Sequence, residues 1–80
     1  MRRAQPEHLA GKLLAIRQRM GASQTEMAAI LDMNVTAARI CEYEQGKREP
    51  SLLVLLRYAR IAGVHVDDLI DDKTDLSKLR

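Results

Sequence analysis

The side chains able to do chemistry in this chain fall into two groups: a few nucleophiles or metal ligands, and a larger set of cations. The first group includes His8, His65 and the single cysteine, Cys41. The two histidines are far apart in sequence, and no HExxH motif, Gly-rich phosphate loop or Ser/His/Asp set accompanies them. We interpret both as exposed polar residues and Cys41 as a small half-buried side chain, with redox sensing as the remoter alternative. The sequence therefore predicts no enzymatic activity, no bound metal and no cofactor.

The cations are unevenly distributed along the chain. Residues 1–60 contain ten Lys and Arg against six Asp and Glu, a net charge of +4, whereas residues 61–80 contain three against five, a net charge of −2. The total is only +2. A phosphate backbone would attract the basic part of such a polarised molecule. Ordinary solvated surface explains the same counts, so charge alone does not separate the two interpretations.

Two short helices joined by a brief turn are predicted in the middle of the chain. Ser23 followed three residues later by Glu26 forms a capping box, which marks the start of a helix. The segment Asp32–Asn34 interrupts that helix, because Asp and Asn compete for backbone hydrogen bonds and tolerate left-handed geometry. A second helix follows, with Asn34 or Thr36 as its cap. Such a unit can lay one helix in the major groove of DNA, although helical hairpins are also common elsewhere.

Three further helices complete the prediction. Apolar residues at spacings of four, three and four indicate a first helix, and Gly11 inside it could serve the close approach of another helix. This stripe is Leu9, Leu13, Ile16 and Met20. Ser51 caps a fourth helix, whose predicted core side is Leu52, Leu55, Leu56, Ala59 and Ala62. A short fifth helix contains Val64, Val66, Leu69 and Ile70.

Length and composition fit one small all-α domain that occupies residues 1–80. The absence of Phe and Trp leaves an aliphatic core, which suits short packed helices. We expect the packed core to span about residues 7–71, with a flexible arm at 1–5 and a flexible tail at 72–80. No apolar run approaches the ~20 residues that span a bilayer, and no signal-peptide segment is evident. With one cysteine and no internal disulfide, the sequence predicts a cytoplasmic protein without a membrane partner.

Two ordered motifs carry a family resemblance: S-Q-x-E-x-A from Ser23, and I-x-x-Y-E-x-G-x-x-x-P-S from Ile40. With them the chain resembles the Cro and phage-repressor family of helix-turn-helix regulators, also called the xenobiotic-response-element family, over roughly residues 9–71. The matching residues are Gly11, Leu14, Arg17, Gly21, Ser23, Gln24, Glu26, Ala28, Ile40, Tyr43, Glu44, Gly46, Pro50, Ser51, Leu55, Ala59, Val64 and Leu69. Asp32 stands where the family usually has Gly, and the turn from Leu31 to Ile40 is two residues longer than usual.

The resemblance implies a compact five-helix, lambda-repressor-like fold that binds a specific sequence of double-stranded DNA through its third helix. The implied base contacts are Thr36, Ala37, Ala38, Arg39 and Glu42. The fork of Arg39 could bind guanine O6 and N7, or it could contact a phosphate instead. Glu42 could accept a hydrogen bond from a cytosine amine, or keep Arg39 oriented.

Contacts with the DNA backbone and one internal ion pair are implied as well. Phosphate contacts would come from Gln24 at the start of the second helix, and from Lys47 and Arg48 in the loop after the third. Gln24 could alternatively serve only to cap its helix. Arg17 would form an ion pair with Glu44, rather than lie on the surface as an isolated charge.

The fourth helix has more apolar residues than one buried face requires. The strip Val54, Tyr58 and Ile61 follows spacings of four and three beside the predicted core side. Exposed strips of this kind mark interfaces, so we expect it to form a two-fold homodimer that reads a palindromic site. The alternative is an antitoxin or protein-interaction module that uses the same fold, and the same apolar helix, to bind a partner protein.

Overall fold

Five α-helices make up the part of the chain described by the computed structural model, residues 6–74 and 76, and no strand occurs in that part. They are α1 (Leu9–Met20), α2 (Gln24–Leu31), α3 (Ala37–Glu44), α4 (Leu52–Ala62) and α5 (Val66–Ile70). The predicted all-α, five-helix fold class is confirmed. The expected arm at 1–5, and tail residues 75 and 77–80, lie outside the described residues.

Short polar side chains start the central helices. The hydroxyl of Ser23 accepts from the backbone N–H of Glu26 at 3.0 Å, and the Glu26 carboxylate accepts from the N–H of Ser23 at 2.8 Å, so the capping box of α2 is present. Thr36 caps α3 by accepting from the N–H of Arg39 at 3.1 Å. Ser51 caps α4. Each cap satisfies an amide that the helix leaves without an internal partner.

The predicted core side of α4 is correct at Leu55 and Ala59, which are buried, but it is wrong at the start of the helix and in the predicted surface strip. Val54 and Tyr58, expected in a surface strip for dimerisation, are 6% and 0% exposed and belong to the core, while Leu52, expected in the core, is 76% exposed. Leu53 is 67% exposed, and Ile61 is half-buried against the core. A helix with apolar residues on most sides contains several stripes at helical spacing, and here the largest side chain occupies the interior. Val54 and Tyr58 are therefore not available to a partner.

Burial of Tyr58 has a further consequence for its hydroxyl group. Burial, and secondarily the negative charge of Glu44, raise the pKa of Tyr58 above its ordinary value of 10.0. The hydroxyl finds no hydrogen-bond partner among the described residues. Tyr58 therefore serves as a large core side chain, in a chain whose other aromatic residue is Tyr43.

The C-terminal segment packs onto the helical body. The carboxylate of Asp72 accepts from the backbone N–H of Glu7 at 2.9 Å and of His8 at 3.0 Å, so it holds the two residues just before α1, and these hydrogen bonds lower the pKa of Asp72. Leu76 is buried in the core. The packed body thus extends past residue 71, where the sequence suggested that it would end.

Lys12 provides a second long-range connection between the ends of the chain. Although charged, it is buried, and its Nζ donates to the carbonyl oxygens of Asp68 and Asp71, both at 2.7 Å. These carbonyls belong to the C-terminal end of α5, which a cation stabilises through its favourable interaction with the helix dipole. Lys12 therefore joins α1 to α5.

Arg17 and Glu44 form the ion pair that the resemblance implied. Nε of Arg17 donates to Oε2 of Glu44 at 2.7 Å and Nη2 donates to Oε1 at 2.9 Å, and the two side chains are 17% and 5% exposed. Nη1 of Arg17 also donates to the carbonyl of Ala22, and the amide of Gln24 donates to Oε1 of Glu44 at 3.0 Å. One carboxylate therefore connects α1, the start of α2 and the end of α3.

The ionisation of Glu44 depends on these donors. Burial opposes the charged form, but the hydrogen bonds from Arg17 and Gln24 outweigh it, and the pKa lies below the ordinary value of 4.5. A carboxyl group whose pKa is lower in the folded state stabilises the fold above its unfolded pKa. That contribution is lost as pH falls through the folded pKa.

We predict that Arg17→Ala lowers the free energy of unfolding at neutral pH by about 3 kcal/mol, because it leaves the Glu44 carboxylate buried without its cation. The variant should also lose less stability than the parent as pH falls below 4.5, the ordinary value for Glu44. Urea denaturation from pH 7 to pH 3 measures both effects. The double variant Arg17→Met/Glu44→Leu, which removes both charges, should recover part of the loss. Unchanged stability of Arg17→Ala at pH 7 would contradict the prediction.

Gly11 does not serve the close helix approach that the sequence suggested. A Cβ placed on Gly11 meets no atom within 4 Å in the described part of the chain, and Gly11 lies in the interior of α1.

We predict that Gly11→Ala stabilises the protein by roughly 0.5–1 kcal/mol, because it lowers the entropy of the unfolded chain. The matched control is Gly21→Ala, which should destabilise because Gly21 has a φ of 67°. Thermal denaturation compares the two, and a lower Tm for Gly11→Ala would contradict the prediction.

Candidate nucleic-acid interface

The turn between α2 and α3 determines where the second helix of the pair begins. It runs from Asp32 to Thr36, and both Asp32 and Asn34 adopt left-handed backbone conformations, with φ of 51° and 58°. Asp32 thus replaces the usual glycine without leaving the conformation that the turn requires. After this turn, Ile40 and Tyr43 of α3 are buried in the core, and α3 packs against α2.

The start of α3 presents the predicted base-contact residues together. Thr36, Ala38 and Arg39 are exposed at the cap and first turn, Ala37 beside them is half-buried, and Glu42 is half-buried one turn later. Ile40 and Tyr43 occupy the opposite, buried side of the helix. The N-terminal half of α3 therefore presents a short surface made mostly of small side chains. It carries one cation, Arg39, and one anion, Glu42.

The charged residues of this surface contact each other. Oε1 of Glu42 lies 3.5 Å from Nε of Arg39 and 3.4 Å from Nε of Arg48. Arg48 belongs to the loop after α3, so these contacts place the loop beside the base-contact surface. Of the two roles considered for Glu42, the arrangement favours orientation of Arg39.

The predicted phosphate contacts differ in how available they are. Lys47 and Arg48 are exposed in the loop that follows α3. Gln24 is half-buried at the first turn of α2, and its amide nitrogen donates to Glu44. An amide group has two N–H donors, so one remains for a phosphate while the other supports the ion pair.

Sequence reasoning missed one residue of this surface. Gln45 is exposed at the C-terminal end of α3, three residues after Glu42 and seven after Ala38. Those spacings place all three residues on one side of a helix, so helical periodicity would have found it. The amide of Gln45 could hydrogen-bond a base edge or a phosphate.

Within the described ranges, no cluster of three or more His, Cys, Asp or Glu side chains is arranged to hold a metal ion. The helices of the same part of the chain are all too short or too polar to cross a bilayer.

Comparison with known families agrees with this geometry. A family model described as helix-turn-helix matches residues 13–69, a range that contains α2, the turn, α3 and α4 in full. A search of curated proteins returns no match. The match covers well over half of the chain and includes every predicted base-contact residue. The chain therefore belongs to the helix-turn-helix family of the Cro and phage-repressor type, a family of DNA-binding transcription regulators.

Proposed function

We propose that this protein regulates transcription by binding one specific duplex sequence, with the N-terminal half of α3 in the major groove. The observation that carries the proposal is the exposed cluster Thr36, Ala38 and Arg39 on a helix whose other side is fixed in the core. A helix enters the groove by its N-terminal end, so these side chains would meet base edges first. Small side chains beside Arg39 allow the helix backbone to come close to the bases.

Arg39 is the proposed base-reading residue. A guanidinium fork donates to O6 and N7 of guanine together, and each such pair discriminates against a wrong base by about 1–3 kcal/mol. The methyl groups of Thr36 and Ala38 suit contact with a thymine methyl group. Sequence preference would therefore come from Arg39, supplemented by apolar contacts.

Lys47, Arg48 and Gln24 are the proposed phosphate contacts. Lys47 and Arg48 follow α3, whereas Gln24 begins α2, so the three would hold the DNA backbone from both ends of the helix pair. Backbone N–H groups and the positive end of the α2 dipole would assist Gln24. Phosphate contacts fix position and supply salt-dependent affinity without choosing a sequence.

We predict that Arg39→Ala relaxes the preference at one base pair, whereas Lys47→Ala weakens binding to every duplex. The first loss should be about 1–3 kcal/mol on the preferred duplex and much smaller on random DNA. The second should make the negative slope of log K against log salt less steep by about one on both DNAs. Fluorescence anisotropy across a salt series, on a duplex selected from a random pool, measures both. Equal losses on selected and random DNA for Arg39→Ala would contradict its base-reading role.

We also propose that two copies bind a palindromic site, because one short helix contacts too few base pairs to define a regulatory site. The dimer contact proposed here is formed by Leu52 and Leu53, the exposed leucines at the start of α4, and not by the strip predicted from the sequence. Leu52 also lines a cleft of about 620 Å³ that Thr36 and Arg39 line as well. A second copy docked on these leucines would therefore lie next to the proposed DNA surface of the first.

We predict that Leu53→Glu shifts the protein towards monomer, because a carboxylate cannot be buried against an apolar partner surface. The matched control is Ile30→Glu on α2, which places the same charge on another exposed apolar residue and should leave association unchanged. Sedimentation at micromolar to high micromolar concentration measures the shift. A monomeric parent protein, or unchanged association of Leu53→Glu, would reject this dimer.

The exposed leucines also suit the second candidate function, in which the same fold holds a partner protein as an antitoxin or interaction module. Selection from a random duplex pool separates the two functions. Enrichment of a palindromic sequence supports the regulator. Failure to enrich any sequence, together with a monomeric protein, favours the partner-binding function.

A further inference from the structure

One carboxylate oxygen, Oε1 of Glu42, lies between two arginines from different segments. It is 3.5 Å from Nε of Arg39 on α3 and 3.4 Å from Nε of Arg48 in the following loop. All three side chains remain between 41% and 49% exposed. Ion pairs this exposed and this long add little to folding stability.

The contact geometry leaves the working ends of both arginines available. In each case Nε is the nitrogen nearest the carboxylate. The fork formed by Nη1 and Nη2 can then point end-on towards a guanine or a phosphate while Nε stays beside Glu42. A guanine contact by Arg39 is thus compatible with the Glu42 contact.

On non-specific DNA the same residues would contact phosphates and not bases. Non-specific affinity comes almost entirely from phosphates, and every available cation turns towards them. The carboxylate of Glu42 then approaches the phosphate backbone without the base contact that would compensate for the repulsion. In the proposed specific complex, Arg39 would lie between the carboxylate and the groove and would screen that charge.

We propose that Glu42 is a specificity-determining residue, whose negative charge, held between Arg39 and Arg48, weakens binding to non-specific DNA more than binding to the preferred site. The inference rests on the proposed function. Its source is the placement of one anion among the cations of the reading surface, and it requires no base contact by Glu42.

The test is Glu42→Gln, measured on a selected duplex and on random duplex DNA across a salt series. Affinity for random DNA should rise roughly threefold to tenfold near 0.1 M salt, with a salt slope steeper by up to about one. Affinity for the selected duplex should change less, so the specificity ratio falls. Circular dichroism should show an unchanged melting curve, because the pairs are on the surface.

Two variants separate the proposed cause from simpler ones. Asp67→Asn on α5 removes the same unit of charge from an exposed residue of another element, and it should leave the specificity ratio unchanged. Glu42→Asp keeps the charge on a shorter side chain, and it should retain most of the discrimination. Loss of discrimination in Glu42→Asp equal to that in Glu42→Gln would show that charge is not the cause and would overturn the inference.

The remaining outcomes separate failure of the Glu42 inference from failure of the proposed function. A parent protein that selects a duplex, together with a Glu42→Gln variant of unchanged ratio, overturns the inference and leaves the proposed function standing. A parent protein that prefers no duplex over random DNA overturns both.

Discussion

The buried carboxylate of Glu44 is the interaction on which the arrangement of the helices depends. It accepts two hydrogen bonds from Arg17 and one from Gln24, so a single side chain at the end of α3 ties that helix to α1 and to α2. An unpaired carboxylate in this position would be strongly unfavourable, which makes the three residues act as one unit. The orientation of α3 relative to the body follows from that unit, together with the burial of Ile40 and Tyr43.

A second carboxylate two residues earlier on the same helix behaves differently because its surroundings differ. The side chain of Glu44 is 5% exposed, whereas that of Glu42 is 41% exposed. In a buried site, removing the partner of a charge strongly lowers the stability of the fold. At the surface, water screens the charge and the ion pair contributes little to folding. The exposed carboxylate of Glu42 can thus interact with other charged molecules, whereas the buried carboxylate of Glu44 stabilises the fold.

Local signals in the sequence predicted the central helices well. The Ser23 and Glu26 capping box and the left-handed Asp32 are consequences of neighbouring residues, and neighbouring residues are visible in the sequence. The register of α4 could be predicted only in part, because its apolar residues form several stripes of similar quality. That Val54 and Tyr58 are buried while Leu52 is exposed depends on packing against the rest of the fold.

Connections between the two ends of the chain were equally invisible. Asp72 bonds the residues just before α1 across more than sixty residues, and Lys12 reaches the end of α5 over a similar separation. No spacing rule relates residues so far apart, since such contacts depend on the completed fold. The base contacts were predicted from the family resemblance. Helical periodicity along α3 would have added only Gln45 to that set.

The same long-range contacts change what the charge distribution means. Several of the cations in the basic part of the chain are used within the fold: Lys12 and Arg17 are held as described above, and Arg57 donates to the carbonyl of Leu31 at 3.2 Å. Near α3, the cations with exposed side chains are Arg39, Lys47 and Arg48. Salt-dependent affinity grows with the number of phosphates neutralised, so this small set would give one copy only weak binding at physiological salt. Two copies would double the set, which gives the proposed dimer a physical reason that is independent of the symmetry of the site.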